Sequence, residues 1–360
     1  MSAGHDRAHA RASEAEGTAR SLSTGKKLVF TLLINCAFFG LLEAGLRLAG
    51  FERSAVLESM RFTFPLDDFN VNADVPFLER DDRLFWKPKR HVLGHNSRGV
   101  FGPEFAVPKP PDVFRIVCLG DSCTHFGPRP YPERLQSLLD ARAPGRFEVI
   151  NAGVVGYSSH QGRVRLQSDV SGWQPDLVTV YFGWNDHWLA RGLSDREQRP
   201  RSPGRERLEN ALDRLRLYQL LVYARSGIAA TPSERLRVSP ADYVENLRRM
   251  KRDCDRLGAE VWFITAPHAL DLGVPRFLVS SGEVADPAEL IELHRRYNDE
   301  VRRVAEETGA TLFDLERQID GMDKQDLFLR DHIHLSDAGR TLAAELLLQT
   351  MVSRGLLSTE

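Results

Sequence analysis

Two segments far apart in the chain carry residue types suited to nucleophilic catalysis. Ser122 follows Gly120 and Asp121 directly after a predicted β-strand, and Asp331 lies three residues before His334 near the C-terminal end. A serine hydroxyl is a weak nucleophile at neutral pH. It needs a base that takes its proton, and the base needs an acceptor that fixes its tautomer. Asp331 and His334 could supply acceptor and base from a single turn.

Acyl transfer also requires hydrogen-bond donors aimed at the oxyanion that develops on the substrate carbonyl. In the 151–157 segment, Gly156 lets a backbone N–H approach a substrate closely, and in the 181–186 segment Asn185 offers a side-chain amide. Each segment taken alone is also typical of an ordinary strand-to-helix turn, in which glycine relieves the backbone and asparagine caps a helix. Both follow predicted strands, which favours a position at the same edge of a sheet as Ser122.

Two other chemistries remain open at these residues. Cys123 beside Ser122 raises the alternative of a thiolate nucleophile, although nothing in the sequence lowers its pKa, and packing is the preferred interpretation. The α/β-hydrolase motif G-x-S-x-G is absent, because Thr124 stands two residues after Ser122. The segment from Asp331 to His334 is also compatible with a metal site, for which further histidines are His125, His160, His187 and His268.

The elements that would position these residues alternate along the chain. Apolar runs predict strands at 114–119, 147–150, 177–182, 261–265 and 311–315. Runs with helical periodicity lie at 132–141, 161–169, 243–257, 288–308 and 338–354, and Ser336 or Asp337 is the expected N-cap of the last. This alternation predicts an α/β fold in which helices cover both faces of a parallel sheet. Two connections, 187–240 and 268–287, exceed the usual length of ~2–6 residues, and an amphipathic run at 205–225 lies in the first.

In chain order, the segments around Ser122, Gly156, Asn185 and Asp331 with His334 resemble the sequence blocks of the SGNH hydrolase family, also called GDSL-type esterases. The resemblance extends from about residue 113 to the C-terminus and departs from the family name at Cys123, where leucine is usual. It implies a three-layer α/β/α sandwich with a flavodoxin-like, five-stranded parallel sheet, and hydrolysis of esters without cofactor or metal. It also implies a catalytic set of Ser122, Asp331 and His334, and an oxyanion hole of Ser122, Gly156 and Asn185. It does not identify the substrate.

Length and composition set only broad limits. The chain has 360 residues, of which 42% are hydrophobic and 27% charged, enough to bury a substantial core. The 48 Lys and Arg residues nearly balance the 50 Asp and Glu residues, which gives no sign of a nucleic-acid partner. The four cysteines show no C-x-x-C spacing, which argues against a zinc site or a disulfide framework.

The average composition conceals an apolar segment near the start of the chain. Residues 28–51 would cross a hydrocarbon core of ~30 Å at ~1.5 Å per residue, and within them Glu43 and Arg47 are spaced to form an ion pair. A cleaved signal peptide, a buried helix and an interfacial helix are the alternatives to a single membrane-spanning anchor, but an A-x-A cleavage site is missing. Lys26 and Lys27 before the run favour a cytoplasmic N-terminus, with the rest of the chain in the periplasm or at the cell surface.

These observations divide the chain into a disordered tail (1–27), a transmembrane anchor (28–51), a stem (52–112) and a hydrolase domain (113–360) with an insertion around 187–240. The expected function is serine-dependent hydrolysis of a carboxylic ester in an envelope glycan or lipid. The alternatives are an O-acyltransferase on the same scaffold and a non-catalytic envelope or glycan-binding protein. Five aromatic side chains either line a sugar- or lipid-facing cleft or pack in the core. They are Phe85, Trp86, Tyr157, Trp184 and Trp188.

Overall fold

The computed structural model describes residues 23–53, 77–125, 127–190, 193–198, 202–228, 235–276, 278 and 286–357. Residues 1–22 of the predicted tail and residues 54–76 of the predicted stem therefore lie outside the described residues. The chain divides into two compact units, Met1–Phe51 and Glu52–Glu360.

The first unit contains helix α1 (Thr24–Leu48). It overlaps most of the predicted anchor at 28–51, but its start and its end each lie a few residues earlier in the chain. Its apolar side chains are exposed, and its mean hydropathy reaches 1.9 over its most apolar window. Arg47 Nη2 lies 2.7 Å from Glu43 Oε1, so the expected pairing of these two charges is present. Length and composition make α1 compatible with a membrane anchor, and a signal sequence has the same properties.

The second unit is built on a five-stranded parallel sheet whose strand order is β4-β3-β5-β6-β7. This is the 2-1-3-4-5 order of flavodoxin-like folds, which confirms the predicted fold class. A separate two-stranded antiparallel hairpin precedes it. The strands are β1 (Leu78–Asp81), β2 (Phe85–Pro88), β3 (Phe114–Gly120), β4 (Phe147–Asn151), β5 (Leu177–Tyr181), β6 (Glu260–Ile264) and β7 (Thr311–Phe313).

The helices alternate with the strands as expected. In chain order they are α2 (Ser122–His125), α3 (Tyr131–Arg142), α4 (Ser159–Ser168), α5 (Pro203–Leu212), α6 (Arg216–Ile228), α7 (Pro240–Leu257), α8 (Pro287–Thr308), α9 (Leu315–Asp320) and α10 (Asp337–Ser353). The Ser336 side chain accepts from the N–H of Gly339 and is therefore the N-cap of α10. The amphipathic run predicted at 205–225 lies in two helices, α5 and α6.

Both faces of the sheet are buried. Along β3, Ile116 and Cys118 lie in one apolar core, while Val117 and Leu119 lie in the other, as the two-residue period of a strand requires. Helices α3 and α10 contribute to the first core, and α4, α7 and α8 contribute to the second. The result is a three-layer α/β/α sandwich, as predicted.

Strand β7 ends at Phe313, two residues before the predicted end at 315. The side chain of Asp314 accepts from the backbone N–H of Arg317 and begins helix α9 at Leu315. A capping residue thus ends the strand, although the apolar run in the sequence continues to Leu315.

The β1–β2 hairpin lies in the same compact unit as the sheet. Phe77, Leu78 and Leu84 are at most 4% exposed. Leu84, together with Val100 and Phe105, belongs to the core on the α4 side of the sheet. The described part of the predicted stem therefore supplies core side chains to the unit that contains the predicted hydrolase domain.

Candidate active site

Ser122 lies at the point where β3 ends and the short helix α2 begins. Oδ1 of Asp121 accepts from the N–H of Cys123 at 2.8 Å, and its backbone carbonyl accepts from the N–H groups of Thr124 and His125. Gly120 before it packs so tightly that a Cβ there would lie 2.1 Å from Oγ1 of Thr124. The sequence Gly-Asp-Ser therefore builds a tight turn that presents the serine at the carboxyl edge of the sheet.

Asp331 organises the second segment through both of its carboxylate oxygens. Oδ1 accepts from the backbone N–H groups of Ile333 and His334, each at 2.9 Å, and Oδ2 lies 2.7 Å from Nδ1 of His334. His332, which lies between Asp331 and His334, adopts a φ of 59°. The carboxylate thus fixes both the loop and the orientation of the imidazole ring.

The structure brings the two segments together. Oγ of Ser122 lies 2.8 Å from Nε2 of His334, although 212 positions separate the two residues in sequence. With Nδ1–H donating to Asp331, Nε2 carries the lone pair that accepts from the serine hydroxyl. Burial alone would raise the pKa of Asp331, but the His334 ring and the two backbone N–H groups hold it below its usual value.

The segment that carries Gly156 follows β4 and packs against the turn that carries Ser122. The N–H of Val154 donates to the carbonyl of Gly120 at 3.0 Å, and Nδ2 of Asn151 donates to the carbonyl of Thr124 at 3.0 Å. Gly156 itself has a φ of 74°, a conformation that L residues rarely adopt. Glycine at this position is therefore a requirement of the backbone.

Asn185 follows β5, the neighbour of β3 in the sheet. Its side-chain Nδ2 donates to Oδ2 of Asp121 at 3.0 Å, and the residue is 3% exposed. An amide nitrogen carries two hydrogens, so this bond uses one and leaves the other available. The contact spans the switch point between β3 and β5, where ligands bind in open α/β sheets. Burial raises the pKa of Asp121.

The sequence model of the GDSL-like Lipase/Acylhydrolase family matches residues 118–342. The chain belongs to this family. The hydrolase is also 33% identical over 76 residues to the uncharacterized lipoprotein YqeF of Bacillus subtilis, a stretch that covers 20% of the hydrolase and 31% of YqeF. It thus matches about a third of the length of that relative. Family membership confirms the resemblance seen in the sequence and identifies the protein as an SGNH-type ester hydrolase.

Solved structures similar to the hydrolase share little sequence with it. The lipase/acylhydrolase from Enterococcus faecalis is 20% identical, with a TM-score of 0.45 over 67% of the hydrolase and 96% of that chain. Axe2, an acetylxylan esterase from Geobacillus stearothermophilus, is 19% identical, with a TM-score of 0.43 over 65% of the hydrolase and 92% of that chain.

The other candidates for chemistry lie away from the Ser122–His334 pair or are buried. Burial raises the pKa of the Cys123 thiol well above its usual value, which disfavours the thiolate. Burial also lowers the pKa of His125 to about 3, and Nδ1 of this ring lies 2.8 Å from the Gly153 carbonyl. His187 and His294 bond to each other at 3.0 Å. Among the described residues, no group of three or more His, Cys, Asp or Glu side chains is arranged to hold a metal ion.

The aromatic residues predicted to line a cleft or fill the core have different positions. Tyr157, Trp184 and Trp188 are at most 7% exposed and belong to the two apolar cores. Phe85 and Trp86 in β2 are half-buried. Two of the five are bonded to each other's segment: Nε1 of Trp86 donates to the carbonyl of Val155 in the segment that carries Gly156, and the hydroxyl of Tyr157 in that segment donates to the carbonyl of Trp86.

Three carboxylate or guanidinium groups near the site lie outside the predicted catalytic set and oxyanion hole. Asp186, next to Asn185, accepts from the N–H and the hydroxyl of Ser159, and burial raises its pKa to about 7. Asp195 and Arg237, from the two ends of the 187–240 insertion, form an ion pair with 2.8 Å between Oδ2 and Nη2. An ion pair between distant segments leaves no local spacing pattern, so the pairing of Asp195 with Arg237 could not be predicted from the sequence.

Proposed function

We propose that Ser122 is the nucleophile of this ester hydrolase, that His334 is its general base and acid, and that Asp331 orients the imidazole. The observation that carries the proposal is the continuous hydrogen-bonded chain from Ser122 through His334 to Asp331. Burial of the His334 and Asp331 side chains, which are 5% and 1% exposed, supports it because electrostatic interactions are stronger away from water.

In the acylation step, Oγ of Ser122 bonds to the carbonyl carbon of the ester while its proton moves to Nε2 of His334. The carbonyl oxygen becomes an oxyanion, which the N–H groups of Ser122 and Gly156 and the side-chain amide of Asn185 stabilise. When the tetrahedral intermediate collapses, the bond to the alkoxy group breaks, and the departing alcohol takes the proton from His334.

In the deacylation step, a water molecule attacks the acyl-Ser122 carbonyl and gives one proton to Nε2 of His334. A second oxyanion forms in the same donor set and collapses. The free acid leaves, and the proton returns from His334 to Oγ of Ser122. The hydrolase is thereby regenerated without net change.

The substitution Ser122→Ala tests the nucleophile. We expect the variant to lose turnover of a short-chain aryl ester such as 4-nitrophenyl acetate, with an unchanged circular dichroism spectrum. Cys123→Ala is the matched control, because its thiol is buried beside the serine and would be the nucleophile in the cysteine alternative. Activity in Ser122→Ala together with its loss in Cys123→Ala would contradict the proposal.

The physiological substrate is proposed to be an ester in an envelope glycan or lipid. The support is the α1 helix, which is compatible with anchoring at a membrane where such esters occur. A panel of acetylated oligosaccharides and longer acyl esters tests the substrate class. Release of free acid without an acceptor alcohol supports hydrolysis, whereas product formation that requires an acceptor would identify an acyltransferase.

The proposed topology has the N-terminus in the cytoplasm and the catalytic unit outside, in the periplasm or at the cell surface. Lys26 and Lys27 in the first turn of α1 support this orientation through the preference of cations for the cytoplasmic side. Protease treatment of intact cells with a permeabilised outer layer should digest the catalytic unit. Complete protection of the catalytic unit until the inner membrane is opened would show the opposite orientation.

A further inference from the structure

The Gly156 segment is held by side chains from two regions outside the sheet and its covering helices. From the hairpin, Nε1 of Trp86 donates to the carbonyl of Val155 at 3.0 Å. From the end of the insertion, Nη1 of Arg237 donates to the carbonyl of Gly156 at 2.9 Å. Two further bonds fix the next residues, because Tyr157 donates from its hydroxyl to the carbonyl of Trp86 at 2.7 Å and Ser158 donates from its hydroxyl to Asp195 at 2.6 Å.

The bond from Trp86 has a direct geometric consequence for the proposed oxyanion donor. The carbonyl of Val155 and the N–H of Gly156 belong to one peptide unit, which is planar and trans. The C=O and N–H groups therefore lie in one plane and point in opposite directions. By fixing the carbonyl of Val155, the indole of Trp86 fixes the direction of the Gly156 N–H.

The bond from Arg237 holds the next peptide unit. Gly156 lies between two peptide planes, and its φ and ψ angles are the only soft rotations that relate them. The carbonyl of one plane is bound by Trp86 and the carbonyl of the other by Arg237. A glycine without these bonds would sample both signs of φ, so the bonds select the conformation with φ of 74°.

Arg237 is itself firmly placed. Its guanidinium also donates to Oε1 of Gln161 at 2.9 Å and forms the ion pair with Asp195, whose side chain is 2% exposed. Cζ of Arg237 lies 5.9 Å from the centre of the Trp86 ring, within cation–π distance. Trp86 and Arg237, which together are called the Gly156 clamp, thus contact each other as well as the segment they hold.

We propose that Trp86 is a positioning residue that orients the Gly156 N–H toward the oxyanion, with Arg237 as the second arm of the same clamp. The inference rests on the proposed function, because it takes Gly156 as an oxyanion donor. Preorganised donors stabilise an oxyanion without reorganising during the reaction, so loss of the clamp lowers transition-state stabilisation while leaving ground-state binding largely intact. Neither side chain is required to touch the reacting atoms.

Trp86→Phe tests the proposal in the full-length protein, because it removes the indole N–H and keeps an aromatic ring. Removing one oxyanion donor entirely lowers kcat by about 10²–10³, so misdirecting one should lower kcat by roughly ten- to a hundredfold, with KM changed by about twofold at most. The affinity for an aryl trifluoromethyl ketone, which forms a tetrahedral adduct with serine, should fall by a similar factor.

Trp262→Phe is the matched control. Trp262 is fully buried, and its indole Nε1 donates to Glu260 at 2.7 Å at the start of β6, the opposite end of the strand from the carboxyl edge where Ser122 lies. Equal kcat values in Trp86→Phe and Trp262→Phe would overturn the inference. Should Trp86→Phe fail to fold, Arg237→Lys gives the second test, because lysine keeps the charge beside Asp195 but lacks the fork that binds Gly156 and Gln161 together.

Failure of this inference is distinguishable from failure of the proposed function. A wild-type enzyme that hydrolyses the aryl ester, together with an inactive Ser122→Ala variant, upholds the nucleophile whatever Trp86→Phe shows. A lower kcat with an unchanged KM and a weaker ketone adduct in Trp86→Phe supports positioning. A kcat of Trp86→Phe and Arg237→Lys within twofold of wild type would exclude it.

Discussion

The side-chain amide of Asn185 donates to the carboxylate of Asp121 across 3.0 Å and so joins the ends of β5 and β3. This contact fixes the plane of the amide next to Ser122, and one N–H remains for a substrate. Asp121 has a second bond, because its other carboxylate oxygen accepts from the N–H of Cys123. Asp121 therefore shapes the turn that carries Ser122 and, at the same time, orients the side-chain amide of Asn185, the proposed oxyanion donor.

Asn185→Ala should lower kcat for an aryl ester by about 10²–10³, the usual cost of removing one oxyanion donor. Some activity should remain, because the backbone donors of Ser122 and Gly156 are unaffected. Steady-state kinetics on a variant with a native circular dichroism spectrum checks this expectation. A decrease of tenfold or less would show that Asn185 serves only to connect the two strands.

Asp331→Asn should lower kcat by about 10⁴ while leaving the loop folded. The asparagine oxygen can still accept from the backbone N–H groups of Ile333 and His334. Its NH₂ group would then face Nδ1 of His334 and favour the tautomer that places the proton on Nε2, where it cannot accept from Ser122. Equal activity of Asp331→Asn and wild type, measured on the same ester, would remove the aspartate from the mechanism.

The fold and the core of the site could be predicted because both leave local patterns in the sequence. Apolar runs mark the strands, and Ser122 and Asn185 lie in short motifs directly after strands. Asp331 and His334 lie three residues apart in the segment between α9 and α10. The clamp on Gly156 could not be predicted. Trp86 bonds the carbonyl of Val155 from 69 residues away, and Arg237 bonds the carbonyl of Gly156 from 81 residues away. Long-range contacts of this kind have no fixed spacing. Their partners are backbone carbonyls, which every residue possesses.

The same reason limits what the sequence shows about the predicted stem. Prolines and an irregular pattern in 52–112 predict a stem that packs on the main domain, without the contacts it makes. In the structure, Phe77 and Leu84 of this segment are buried within the unit that begins at Glu52. Whether a short hairpin packs against a sheet depends on where the chain returns in space, and a local pattern contains no information about that.

A protein that begins at Asp112 should be much less stable than one that begins at Glu52. It lacks three side chains that are at most 4% exposed, Phe77, Leu78 and Leu84, and burying each typically contributes about 1.5–3 kcal/mol. It also lacks the carbonyl of Ala106, which accepts from the fully buried Arg115. The sum is a large part of the ~5–15 kcal/mol that stabilises a typical domain.

Thermal unfolding of the two proteins, followed by circular dichroism, checks this expectation. The shorter protein should fail to fold or have a melting temperature more than ten degrees lower. Each kcal/mol of lost unfolding free energy lowers the melting temperature by about 4–8 °C in small domains and by less in larger ones. Equal melting temperatures would show that residues 52–111 are dispensable for the hydrolase fold.

Asp186 should make the hydrolase less stable as the pH rises from about 4 to about 7. Burial raises the pKa of this carboxyl to about 7, whereas an unfolded chain has a value near ~3.9. Between these values the folded protein holds a proton that the unfolded chain has lost, so the free energy of unfolding falls by up to about 1.4 kcal/mol per pH unit. Above about pH 7 the contribution no longer changes.

Asp186→Asn removes this titration and retains an oxygen that can accept from the N–H and hydroxyl of Ser159. The difference in unfolding free energy between variant and wild type, measured by urea denaturation, should therefore shift in favour of the variant as the pH rises from 4 to 7. Asp140→Asn, which removes an exposed carboxylate on α3, controls for the change in net charge. A constant difference across this range would mean that Asp186 is ionised in the folded protein, with Ser159 stabilising the carboxylate enough to offset its burial.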